Sequence, residues 1–170
     1  MFKKICRWCA VVLPLGLIIP LFATTWELFV ANSESATPTW NLFDSFDSAL
    51  FSAPGWAEVF SSVWMTLFMI VAVLGLVVGL AMAVMFLLDN LNKTKLQKYE
   101  RIASFVLLGL TVAGIAFSAL ATLINVVSVG GEVVQAINGA TGVYAFMMFG
   151  LLSSIAGIVG SCPKKSQKEQ

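Results

Sequence analysis

Histidine is missing from this 170-residue chain, which removes the commonest general base and the commonest metal ligand of proteins. Charge is scarce too. Only 11% of residues are charged, against about 25% in ordinary soluble domains, while 59% are hydrophobic, against roughly 45–50%. The three cysteines all sit near the chain ends, with none between Cys9 and Cys162. No Gly-rich phosphate loop and no cluster with metal-ligand spacing occurs. These absences lead us to expect no catalytic residue, metal, cofactor or nucleic-acid partner.

What the chain has instead is apolar sequence in long stretches. Four runs are free of charge: Trp8 to about Trp26, Val59 to Leu88, Ile102 to about Val127, and Thr141 to Cys162. Each matches the roughly 20 residues that a helix needs to cross about 30 Å of hydrocarbon. Unpaired backbone groups in lipid would cost several kcal/mol each, so these runs should be helical. The expected fold is all-α: a single domain over 1–170, built as a transmembrane four-helix bundle. Outer loops would cover 27–58 and 128–140, an inner loop 89–101 and a tail 163–170.

Charge sets the orientation, because short cytoplasmic loops collect Lys and Arg. Lys3, Lys4 and Arg7 precede the first run; Lys93, Lys95, Lys98 and Arg101 lie between the second and third; Lys164, Lys165 and Lys168 follow the fourth. That accounts for all ten basic residues. The other two loops carry Glu27, Glu34, Asp44, Asp47, Glu58 and Glu132 and no Lys or Arg. Both termini are therefore expected in the cytoplasm, the chain spanning a plasma or bacterial inner membrane. A basic start before an apolar stretch also opens cleaved signal peptides, but this run exceeds their usual 7–15-residue core and no Ala-x-Ala site follows it.

The first outer loop divides in two. Ala31 to Thr39 is rich in Ser, Thr, Asn and Pro and reads as loop. From Trp40 to Phe51, Trp40, Phe43, Phe46 and Leu50 recur at helical spacing, which predicts a short amphipathic helix on the outer surface. With Trp56 these residues form a candidate interaction surface, since exposed aromatic patches commonly mark contacts. Pro54 suits a first helical turn, so the second helix is expected to begin near it. Gly130-Gly131 and Asn138-Gly139 read as turns.

Small and hydroxyl residues recur three or four apart along every run, the pattern of faces that pack closely in lipid. Gly75, Gly79, Gly114, Ser118, Gly150, Ser154 and Gly157 are the candidate packing positions. In the first run the stripe ends at an acid. Pro20 and Glu27 are seven residues apart and would share a helical face, and Pro20 would free the carbonyl of Gly16. Glu27, Pro20 and Thr24 are thus a candidate site for a cation or polar head group. Pro14 points elsewhere and should kink the helix.

Cys6-Arg7-Trp8-Cys9 has the spacing of a redox pair, and four-span quinone-linked disulfide oxidoreductases resemble this chain in size and helix count. Those enzymes need cysteines on the exported side, where this sequence has none. Cys6, Cys9 and Cys162 fall at the cytoplasmic boundary, where thiols stay reduced and S-palmitoylation is the candidate modification. In layout, with four spans, inner termini and a longer first outer loop, the chain is similar to claudin-type tetraspan proteins. Claudins carry a Trp and paired cysteines in that loop; here Trp40 and Trp56 stand without cysteines. The resemblance implies a lateral scaffold or interaction component whose partners are the lipid bilayer and other membrane proteins or further copies of itself. The other reading is a small channel, transporter or transporter subunit that uses Glu27 and hydroxyl-lined helix faces.

Overall fold

The computed structural model describes residues 2–30, 39–40, 56–92, 96–124, 127–129 and 132–162, with side-chain detail for 2–26, 63–91, 96–122 and 139–162. Pro14 and Pro20 shape the first span. Lacking N–H groups, they cannot sustain an unbroken α-helical ladder. The span is accordingly α1 (Phe2–Val12), a tighter 3-10 stretch (Leu13–Ile18) and the short α2 (Ile19–Phe22). It stops where Ala23 turns extended. The later helices carry no proline and are continuous: α3 (Trp56–Asn92), α4 (Gln97–Ile124) and α5 (Thr141–Ser161). At 37 residues α3 is roughly 55 Å long.

Four segments are long and apolar enough to cross a membrane: Phe2–Phe22, Val63–Leu91, Gln97–Thr122 and Thr141–Ser161. They form the expected four-helix bundle. Around it, α3 packs on α4, α4 on α5, and α1 on both α5 and α3, so α1 and α4 are diagonal neighbours. The helices outrun the apolar runs at one end of the bundle, because a helix can keep its charged turns in the boundary region. Lys3, Lys4 and Arg7 are helical, α3 includes Asp89, and α4 begins before Glu100 and Arg101.

A small sheet adjoins the bundle. At the opposite end, β1 (Trp26–Val30), β2 (Thr39–Trp40), β3 (Val127–Val129) and β4 (Glu132–Gly139) form an antiparallel sheet in the order β2-β1-β4-β3. Trp26 lies opposite Trp40 and Gly139, and Glu27 opposite Thr39 and Asn138. The β3–β4 register shifts between Val127 and Ser128, with one extra residue on the β4 side. Residues 130–131 separate the β3–β4 pair, where a turn was expected, whereas Asn138 and Gly139 are the paired end of β4. The expected helix from Trp40 to Phe51 falls outside the described residues except for Trp40, which is in β2.

Aromatic rings join the sheet to the bundle. Trp26, Phe68 and Phe146, all fully buried, stack edge to face with centroids 5.5 Å apart at each step. Phe146 fits because two glycines on different helices leave room for it. A Cβ on Gly75 would come within 2.9 Å of its ring, and one on Gly114 within 2.5 Å. The same logic seats Leu17 against Gly79, Thr111 against Gly150, and Ser104 with Met82 against Gly157.

Candidate functional site

At the end of the bundle that bears the termini, one side chain contacts all of the other three spans. Arg7 points from α1 into the helix interface and is 14% exposed. A guanidinium offers five N–H donors in a fixed fork, and the surroundings supply an acceptor for each. Nε donates to Asn90 Oδ1 at 2.8 Å. Nη1 donates to Glu100 Oε2 at 3.4 Å and to the Gly160 carbonyl at 3.5 Å. Nη2 donates to Glu100 Oε1 at 3.1 Å and to Asp89 Oδ2. The guanidinium carbon lies over the Phe86 ring, 5.2 Å from its centroid, a cation–π arrangement.

Burial gives these contacts their weight. The Glu100 side chain is fully buried and Asp89 is 15% exposed, so neither is screened as a surface pair would be. Arg7 is one positive charge facing two carboxylates. The Arg7–Glu100 bridge also spans the diagonal of the bundle.

The end of α5 completes the cluster. A helix leaves its last four carbonyls without partners inside itself. Here Gln97 Nε2 donates to the carbonyls of Ser161 at 2.9 Å and Cys162 at 3.1 Å, Arg101 Nη2 donates to Ser161 at 3.2 Å, and Lys3 Nζ donates to Cys162. Lys3 and Arg101, with Arg7 on the Gly160 carbonyl, thus bring three cations to a helix C-terminus, where the macrodipole favours them. Along α4 the inward stripe reads Gln97, Glu100, Arg101 and Ser104. Ser104 Oγ donates to the Glu100 carbonyl at 2.7 Å and lies 3.2 Å from Met82 Sδ.

The residues proposed as a cation or head-group site are dispersed. Glu27 lies in β1, beyond the end of the first helix, so it shares no helical face with Pro20. The Gly16 carbonyl accepts the Ile19 N–H in the tighter 3-10 pattern and is not freed by Pro20. The Thr24 carbonyl accepts the Gly142 N–H at 2.7 Å and that of Thr25 accepts Ala140 N–H at 2.8 Å, so this segment caps the start of α5. Buried Thr25 donates to the Pro20 and Ala23 carbonyls, both at 3.4 Å.

The packing candidates Gly75, Gly79, Gly114, Ser118, Gly150, Ser154 and Gly157 are all buried inside the bundle. Their hydroxyls turn inward on their own helices: Ser118 donates to Ile115 at 3.0 Å and Ser154 to Gly150 at 2.6 Å. Of the thiols, Cys6 is buried, Cys9 half-buried and Cys162 exposed. Trp40 is in β2 and Trp56 opens α3, while Phe43, Phe46 and Leu50 lie outside the described residues.

The Arg7 cluster is invisible to charge-free runs, because these place Asp89, Glu100 and Arg101 in a loop. The available cue was the spacing of Gln97, Glu100, Arg101 and Ser104, which continues the small-residue face of the third run toward the charged end. No family model matches this chain, and comparison with curated proteins and with solved structures finds no match either.

Proposed function

We propose that this chain is a lateral scaffold or interaction component of a cell membrane, with both termini in the cytoplasm and the sheet outside. It would hold other membrane proteins, or further copies of itself, through its outward helix faces and its outer segment. The observation that carries this reading is a filled interior. Met65, Phe68, Met82, Phe86, Leu107 and Phe146 are fully buried along the middle of the bundle. Three of its buried hydroxyls bond within their own helices: Thr111 donates to Leu107 at 2.8 Å, and Ser104 and Ser154 donate four residues back. The orientation rests on the placement of all ten Lys and Arg residues.

Reconstitution in liposomes tests the proposal. Ion and small-solute flux should equal that of protein-free liposomes, and a partner or second copy should survive detergent purification until Trp40, Phe43 and Phe46 are changed to Ser. Flux that Glu27→Ala abolishes would instead establish a transport role.

A further inference from the structure

Arg7 has a second effect, on the charge that the molecule shows its surroundings. At the end bearing the termini, the described cations are Lys3, Lys4, Arg7, Lys98 and Arg101, and the described acids on the bundle there are Asp89 and Glu100. Both acids are held by Arg7, and neither is exposed. What faces outward is therefore cationic. Lys3 and Arg101 spend hydrogen bonds on α5 carbonyls, whereas Lys4 projects from the bundle with no acceptor among the described residues.

Below Lys4 runs an apolar strip one helical face wide. Ile5, Trp8 and Val12 are 55%, 44% and 60% exposed, and with Lys4, Cys9 and Leu13 they line a groove of about 500 Å³. That volume lies within the roughly 300–1,000 Å³ usual for small-molecule sites. Lys4, Trp8 and Val12 stand one turn apart, so the groove has a cation at its mouth, an indole at the level where interfacial aromatics gather, and only hydrocarbon beyond.

We infer that this groove binds one anionic phospholipid, its phosphate on the Lys4 ammonium and an acyl chain along Ile5, Trp8 and Val12. A lysine is a point charge that suits a phosphate without fixing its orientation. Charge complementarity selects the head group, and the apolar strip selects an amphiphile over a free anion. The inference needs the four spans to lie in a bilayer and is independent of the scaffold proposal, so either can fail alone.

Native mass spectrometry of protein extracted from vesicles of equal phosphatidylglycerol and phosphatidylcholine tests it. The wild-type protein should retain phosphatidylglycerol in preference. Lys4→Gln should reduce that preference about fivefold, the effect of one basic residue near an anionic surface. Trp8→Ala, with the charge kept, should lower the amount of phosphatidylglycerol retained. Lys98→Gln on α4 should change neither, and all three variants should melt with the wild type because these side chains are exposed. Equal retention of the two lipids would overturn the assignment, as would a preference that survives Lys4→Gln or vanishes instead with Lys98→Gln.

Discussion

Lysine at position 7 would keep the positive charge and lose the fork. With three donors in place of five, it cannot serve Asn90, Asp89, both oxygens of Glu100 and the Gly160 carbonyl together. Arg7→Lys should therefore destabilise the protein by about 1.5–3 kcal/mol, the worth of a charge-assisted hydrogen bond. Arg7→Ala should cost about 3–5 kcal/mol, because it strands a fully buried carboxylate. Glu100→Gln should cost less than Arg7→Ala, since it leaves one carboxylate for one guanidinium. Thermal melting in detergent ranks the three; an Arg7→Ala protein as stable as the wild type would remove the cluster's importance. A contrasting case is Ser153, which is fully buried and whose hydroxyl has no partner among the described residues. Ser153→Ala should leave the melting temperature unchanged or raise it, as removing an unsatisfied buried hydroxyl gains up to about 1–3 kcal/mol. Neither position stood out in the sequence. Arg7 counted only as an orientation marker, and Ser153 read like its neighbour Ser154, whose hydroxyl is satisfied by Gly150.

The helices were legible as elements because hydrophobic length is a strong cue, but their ends were not. Trp26 to Val30, apolar except for Glu27, and Val127 to Val129, apolar except for Ser128, continue the first and third runs, and nothing in composition alone separates such a strand from the last turns of an apolar helix. The decisive fact is tertiary: these strands pair with each other through β4. Glycine was legible as a packing residue in general and not position by position. On α4, Gly114 and Gly109 are five residues apart and behave oppositely. A methyl group at Gly114 would lie 2.5 Å from the Phe146 ring, which is itself wedged against Gly75, whereas one at Gly109 meets nothing within 4 Å among the described residues. Gly114→Ala should destabilise by about 1–3 kcal/mol through overpacking. Gly109→Ala should stabilise by up to about 1 kcal/mol through helix propensity. Chemical or thermal unfolding of the pair would show whether the glycines act through space or through backbone freedom.

At the scale of the whole molecule, Gly109 becomes informative in another way. Within the described helices, Gly16, Gly75, Gly79, Gly114, Gly142, Gly150, Gly157 and Gly160 each make room for a neighbouring group, and Gly109 alone makes room for none. It opens onto the outer surface of α4 between exposed Phe105, Val106 and Val112. In lipid, an outward glycine permits close approach of another helix, which is how lateral association would use it. The fold and the association can therefore be separated by one substitution. Gly109→Leu should leave melting of the monomer intact, because the side chain has space in the lipid. If α4 is the face that meets another helix, the same change should weaken self-association about five- to 150-fold, as overpacking of about 1–3 kcal/mol would in a tight interface. Förster transfer between labelled copies in liposomes, measured as protein is diluted into lipid, reads that change directly. Wild-type copies that never associate would move the scaffold role to other partners, and association that Gly109→Leu leaves untouched would place the contact on a different face of the bundle.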